Sequence, residues 1–155
     1  MQCSFKRPQA IALIKGGNSA PTVIGIVKFY QKQNCVLVVA DIKGLPHTDT
    51  NFFGFHIHEG TDCGGTDFSD AKGHYNPKGN PHPKHAGDMP PLMLCGNMAH
   101  LSFMTDRFKV TDIIGRTVVI HNMPDDFTSQ PSGNSGEKIA CGKIKKPRNH
   151  GFFVL

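Results

Sequence analysis

Two histidines, His56 and His58, lie two residues apart in the apolar run Gly54-Phe55-His56-Ile57-His58-Glu59. In a β-strand, side chains at i and i+2 share a face, so both imidazoles can converge on one metal ion. His74, His82, His85 and Asp88 follow in the next polar stretch, and His121 closes a later apolar run. The spacing His74-x7-His82-x2-His85-x2-Asp88 offers three imidazoles and one carboxylate, a closed tetrahedral set that suits zinc. Imidazole also suits copper. Seven ligands are too many for one site. They suffice for two if one histidine bridges them through both ring nitrogens, which requires a deprotonated imidazolate.

These residues need a scaffold, and the rest of the chain predicts one made of short strands. Strand candidates are Ala10 to Ile14, Thr22 to Phe29, Cys35 to Ile42, Phe52 to His58, Leu101 to Met104, Thr117 to His121 and Ile139 to Ile144. Turn signals at Gly16-Gly17-Asn18, Gln31 to Asn34, Gly44-Leu45-Pro46 and Ser132-Gly133-Asn134 separate several of them. No segment sustains a helical period. Short strands at regular spacing point to an antiparallel sandwich or barrel. Two polar stretches break the rhythm, Gly60 to Pro91 and Asn122 to Lys138. Long loops in a small domain are functional or disordered; the first carries four of the ligands, which favours function.

At 155 residues the chain is expected to be one domain, 1–155, with residues 145–155 as a terminal tail. No apolar stretch is long enough to span a membrane. The start, Met1-Gln2-Cys3-Ser4-Phe5-Lys6, carries no signal-like apolar region, so a cytoplasmic rather than secreted location is expected. The net charge is +5, but the basic residues are scattered without interleaved aromatics, so no nucleic-acid partner is expected. A positive surface still draws small anions. The five cysteines form no CxxC pair, which argues against a thiolate zinc site.

With these motifs in place, the sequence resembles the copper/zinc superoxide dismutases, and its bacterial members in particular. The resemblance runs from Ala10 to Ile144. It is carried by Gly54 to Glu59, Gly73-His74-Tyr75-Asn76-Pro77, His85-Ala86-Gly87-Asp88, Ile114-Gly115-Arg116-Thr117, Asp125-Asp126-Phe127 and Gly133 to Gly142. It implies an eight-stranded antiparallel Greek-key β-barrel with two long functional loops. It implies a superoxide dismutase that turns superoxide into dioxygen and hydrogen peroxide as copper alternates between Cu(II) and Cu(I).

The resemblance implies copper ligands His56, His58, His74 and His121, and zinc ligands His74, His82, His85 and Asp88, with His74 as bridge and proton carrier. Asp125 matches a carboxylate that ties a copper ligand to a zinc ligand. Cys63 and Cys141 occupy the positions of the family's intrachain disulfide, which on the chain-entropy model is worth about 4 kcal/mol. Cys3, Cys35 and Cys95 have no implied partner. The family's anion-steering arginine is replaced here by Lys138, a point charge on a flexible stem. Ile114-Gly115 matches a segment at the dimer contact of eukaryotic members, which makes a homodimer one expectation; the alternative, from bacterial members, is a different dimer contact or a monomer. A copper chaperone with a dismutase-like domain is the alternative; such domains often lose a copper ligand, and all four are present here.

Overall fold

The structure is a computed structural model, which describes residues 7–148. Cys3 and residues 149–155 of the expected tail lie outside the described residues. Among the described residues nine strands are formed: β1 (Ala10–Gly16), β2 (Ile24–Gln31), β3 (Val36–Lys43), β4 (Phe52–Phe53), β5 (Phe55–His58), β6 (Leu92–Met93), β7 (Met98–Thr105), β8 (Thr117–His121) and β9 (Lys138–Lys145). All seven strand candidates are present.

Seven strands make one antiparallel sheet in the order β5-β8-β9-β1-β2-β3-β7, and β4 pairs with β6 apart from it. The chain nevertheless closes on itself. Gly54 alone separates β4 from β5, and β6 passes into β7 through a hairpin in which Cys95 pairs with Met98. Phe52 to His58 is thus one run that changes partner at Gly54, from β6 to β8. Counting that run once gives the eight strands of the expected barrel.

Alternation fills the interior. On β3, Val36, Val38, Ala40 and Ile42 are buried while the residues between them are partly exposed. Phe29, Phe53, Phe55, Ile57, Val118 and Ile120 join them in one core. Fully burying each large side chain contributes roughly 1.5–3 kcal/mol. A short helix, α1 (Val110–Ile113), plugs one end with Val110 and Ile113. No helix among the described residues is long and apolar enough to cross a membrane.

The strand that carries His56 and His58 is inverted in use. Phe55 and Ile57 face the barrel interior, so His56 and His58 must face outward. Outward positions usually meet water, yet here they are buried, because the two polar loops fold back over them. The first loop is tied to the free edge of β5. Ile57 N–H donates to Gly87 O at 2.9 Å, and Tyr75 N–H donates to Ile57 O at 2.8 Å. These bonds cover an edge that would otherwise invite strand addition. The Cys63–Cys141 disulfide joins the same loop to β9 across a separation of 78 residues. Arg107 and Arg116 brace it further: Arg107 donates to Pro83 O at 2.8 Å, and Arg116 to Glu59 O at 2.6 Å.

Candidate metal centre

Two strands and one loop bring the predicted ligands together. His56 and His58 come from β5 and His121 from the end of β8. His74, His82, His85 and Asp88 come from the first loop. On β9, Ile139 is an extra residue opposite β8, because Ile120 pairs with Ala140 and His121 with Lys138. Such a bulge re-aims the side chains beside it. Gly54 N–H donates to Met123 O and Gly54 O accepts from His121 N–H, each at 2.8 Å. A side chain on Gly54 would press on Ser135, whose Cβ would lie 2.9 Å from it. The glycine therefore lets the second loop close over the site.

Two groups of donors result, each with its ligand atoms within 4.8 Å of one another. One is His56, His58, His74 and His121; the other is His74, His82, His85 and Asp88. His74 is shared. All seven residues are buried.

The ring nitrogens can be assigned one by one. His58 Nδ1 lies 2.8 Å from Lys72 O, and His121 Nδ1 lies 3.1 Å from Gly136 O. A carbonyl only accepts, so both Nδ1 atoms carry hydrogen and both Nε2 atoms are lone pairs. Those Nε2 atoms face each other at 3.1 Å. His56 Nε2–H donates to Asp125 Oδ2 at 2.7 Å, which leaves Nδ1 bare and without a partner. His82 Nε2–H donates to Asp125 Oδ1 at 2.8 Å, so its Nδ1 is also bare, 3.1 Å from Asp88 Oδ2. His74 Nδ1 lies 2.8 Å from Asp88 Oδ1 and 3.4 Å from His85 Nδ1, crowded among other donor atoms, and His74 Nε2 has no partner.

Lone pairs aimed at lone pairs and at a carboxylate, in a buried space, are repulsive unless a cation lies between them. Buried polar atoms without partners are rare and costly. Three occur here, one each on His56, His74 and His82. The donor set therefore fits two metal ions, four donors to each, with His74 common to both sets.

Electrostatics agree. Burial pushes His56 down to about 4 and His121 down to about 3, and it pushes His58 well below its ordinary value. His85 is also lowered by burial. These imidazoles stay neutral, as ligands must. Burial alone would raise Asp125, but hydrogen bonds from His56, Phe127 and His82 hold it down at about 2. Asp88 likewise sits below its ordinary value, because its contacts with His74, His82 and His85 outweigh burial.

Asp125 joins the two groups, with one oxygen on His56 and the other on His82. Gly133 sits against it in a left-handed conformation, φ 69°, where an added Cβ would collide with the carboxylate. Lys138 opens β9 opposite His121, and its ammonium donates to Phe68 O at 3.4 Å. It lines a small cavity of about 170 Å³ with Asp67 and Phe68. Cys63 and Cys141 are bonded, while Cys35 and Cys95 are free. Sequence reasoning missed the carbonyls of Lys72 and Gly136, Gln130 bonded to both backbone groups of His82, and Arg107. Backbone acceptors leave no mark in residue type.

A family model described as copper/zinc superoxide dismutase (SODC) matches residues 23–144. "Superoxide dismutase [Cu-Zn] 2" of Aquifex aeolicus is 37% identical over 143 residues, 83% of this chain and 82% of that protein. "Superoxide dismutase [Cu-Zn]" of Legionella pneumophila is 36% identical over 133 residues, 81% of this chain and 80% of that protein. The "Copper chaperone for superoxide dismutase" of Rattus norvegicus is 31% identical over 93% of this chain, which spans only 54% of that relative.

Proposed function

Because the chain belongs to the copper/zinc superoxide dismutase family and acts on superoxide with copper and zinc as its metals, we propose how its residues divide that work. His56 Nδ1, His58 Nε2, His121 Nε2 and His74 Nε2 would hold copper. His74 Nδ1, His82 Nδ1, His85 and Asp88 would hold zinc. Bound copper supplies a one-electron couple, and redox-silent zinc supplies fixed positive charge. The observation that carries this division is the pattern of ring hydrogens: every nitrogen not assigned to a metal, where its partner is known, donates to Asp125, Lys72 O or Gly136 O. Such partners fix tautomer and orientation.

His74 is the proton carrier. It is the one histidine shared by both groups, and its Nε2 atom has no protein partner. Nε2 would serve in turn as a copper donor and, when free of the metal, as carrier of one of the two protons that hydrogen peroxide requires, the other coming from water. Lys138 attracts the anion. Its backbone pairs in register with that of the copper-side ligand His121, and its charge acts on the His121 imidazole. The contact with Phe68 O restrains the flexible stem. A preorganised cation at the mouth of a site raises capture of a charged substrate. His74→Ala is the test: loss of dismutation with copper still bound is expected, and full copper-dependent dismutation in this variant would overturn the assignment.

The proposal includes a homodimer through the Ile114–Gly115 segment. Pro8, Val110, Ile114 and Pro147 line a concave surface of about 550 Å³ there, rimmed by Arg7, Lys146 and Arg148, an apolar floor with a polar rim of the kind interfaces carry. A cytoplasmic setting also belongs to it. Cys95 is an exposed unpaired thiol, and such thiols persist in reducing compartments. Finding the chain in a secreted or periplasmic fraction would remove that part.

A further inference from the structure

The hairpin between β6 and β7 carries exposed side chains of the types that ligate soft metals, outside the buried centre. Along Leu92-Met93-Leu94-Cys95, burial alternates: Leu92 and Leu94 are in the core, and Met93 and Cys95 are exposed. Along Met98-Ala99-His100 the same rule holds, with Ala99 buried and Met98 and His100 exposed. Cys95 and Met98 face each other as a hydrogen-bonded pair. Cys95 N–H donates to Met98 O at 2.9 Å, and Met98 N–H donates to Cys95 O at 3.1 Å. The turn between them is two residues, Gly96-Asn97, with Gly96 at φ 61°. Cross-strand neighbours in such a pair have side chains on one face, in contact range. Met93, two residues before Cys95, shares that face.

Three sulfur side chains therefore lie on one face of the hairpin, on the water side of the barrel. Met93 is 55% and Met98 43% exposed, although neither packs against the core. His100 flanks them on β7, and its tautomer is set. Nδ1–H donates to Asp41 Oδ1 at 2.7 Å, leaving Nε2 as an outward lone pair. A carboxylate behind an imidazole is the usual second partner of a metal-ligating histidine. Asp41 lies opposite His100 in register on β3.

We propose that this hairpin is a surface site for a soft monovalent metal ion, Cu(I) or its chemical analogue Ag(I). Cys95, Met98 and Met93 are the sulfur ligands, and His100 is a flanking nitrogen donor. Thiolate and thioether donors select Cu(I) over harder ions. Cu(I) accepts low coordination numbers, so this open arrangement is sufficient without a closed cage. The site is separate from the buried centre. β6 pairs with β4, whose run continues through Gly54 to His56, four residues and roughly 13 Å along the strand.

The test uses the full chain with both buried sites filled by copper and zinc. Cys3→Ser and Cys35→Ser are included so that Cys95 is the only thiol outside the disulfide. The protein is held anaerobically under ascorbate and titrated with Cu(I) buffered by bicinchoninate, and metal per chain is counted after desalting. One further copper per chain is expected, with sulfur neighbours in copper-edge X-ray absorption. Cys95→Ser should abolish it. Met93→Leu/Met98→Leu keeps volume and apolarity and should weaken it by at least about tenfold, as should Asp41→Asn through His100 more mildly. The absence of a further copper would overturn the proposal. So would its persistence in Cys95→Ser, or unchanged affinity in the double methionine variant, which would reduce the site to a bare thiol.

Discussion

Replacing Asp125 by asparagine should weaken copper and spare zinc, and the structure says why the two metals differ. Asp125 Oδ1 accepts two hydrogens, from His82 Nε2 at 2.8 Å and from Phe127 N at 2.7 Å. Oδ2 accepts one, from His56 Nε2 at 2.7 Å. Asparagine has one oxygen and one NH₂ group. The oxygen is best placed where two donors converge, at the Oδ1 position, which keeps His82 as it is. The NH₂ group then faces His56 Nε2–H, donor against donor. His56 relieves this by moving its hydrogen to Nδ1, the very atom that serves the copper-side group. Loss of a tautomer-fixing partner typically costs 10–100-fold in metal affinity, or about 1.4–2.7 kcal/mol. Competition titrations with chelators measure both metals on the same sample. Copper affinity should fall in that range while zinc affinity changes by less than about threefold. Equal weakening of both metals would refute this account, and so would selective loss of zinc.

Other outcomes follow from the same geometry. In the metal-free protein, His56 is held at about 4 and His121 at about 3 against an ordinary value of 6.5. The unfolded chain therefore takes up protons that the folded chain refuses, and stability falls as pH drops from about 6.5 towards 4. Asp125, held at about 2 against 3.8, contributes stability above 3.8 that is lost between those values. Melting temperature against pH checks both; a flat profile from pH 7 to 4 contradicts the buried neutral histidines. Lys138→Ala should lower the second-order rate by about tenfold and flatten its dependence on ionic strength, while Lys138→Arg keeps both. Stopped-flow rates at several salt concentrations decide, and an unchanged salt slope removes the steering role. Sedimentation should give a dimer that Ile114→Lys converts to monomer; a wild-type monomer excludes that interface.

Much of the site was legible in the sequence because its ligands sit at spacings that only a metal explains. His56 and His58 obey the two-residue period of a strand, and His82, His85 and Asp88 lie in one tight loop segment. The strands were legible for a similar reason, since Val36 to Ile42 or Thr117 to His121 are apolar enough to stand out. Leu92–Met93 was not, because two residues after Pro90-Pro91 carry no period. The four residues of Val110–Ile113 are likewise too few to show a helical one. The partner change at Gly54 was hidden because Phe52 to His58 reads as one strand, and a glycine in a strand does not announce which neighbour each half will take. The bulge at Ile139 was hidden because Ile139, Ala140 and Cys141 are all buried, two against the core and one against the disulfide cluster. The tautomers of His58 and His121 depend on carbonyls of Lys72 and Gly136, and any residue there would supply the same oxygen.

The outward placement of His56 and His58 has a consequence for how this protein can change. The barrel interior is complete without them: Phe55 and Ile57 close it from the same strand that carries the ligands. A substitution at any of the seven metal ligands removes no hydrocarbon from that interior. Chemistry and architecture are thus inherited on opposite faces of one strand. A selection that reads only whether the chain is folded and abundant would let the catalytic face drift unnoticed. Only a selection that reads turnover or bound metal would hold it in place.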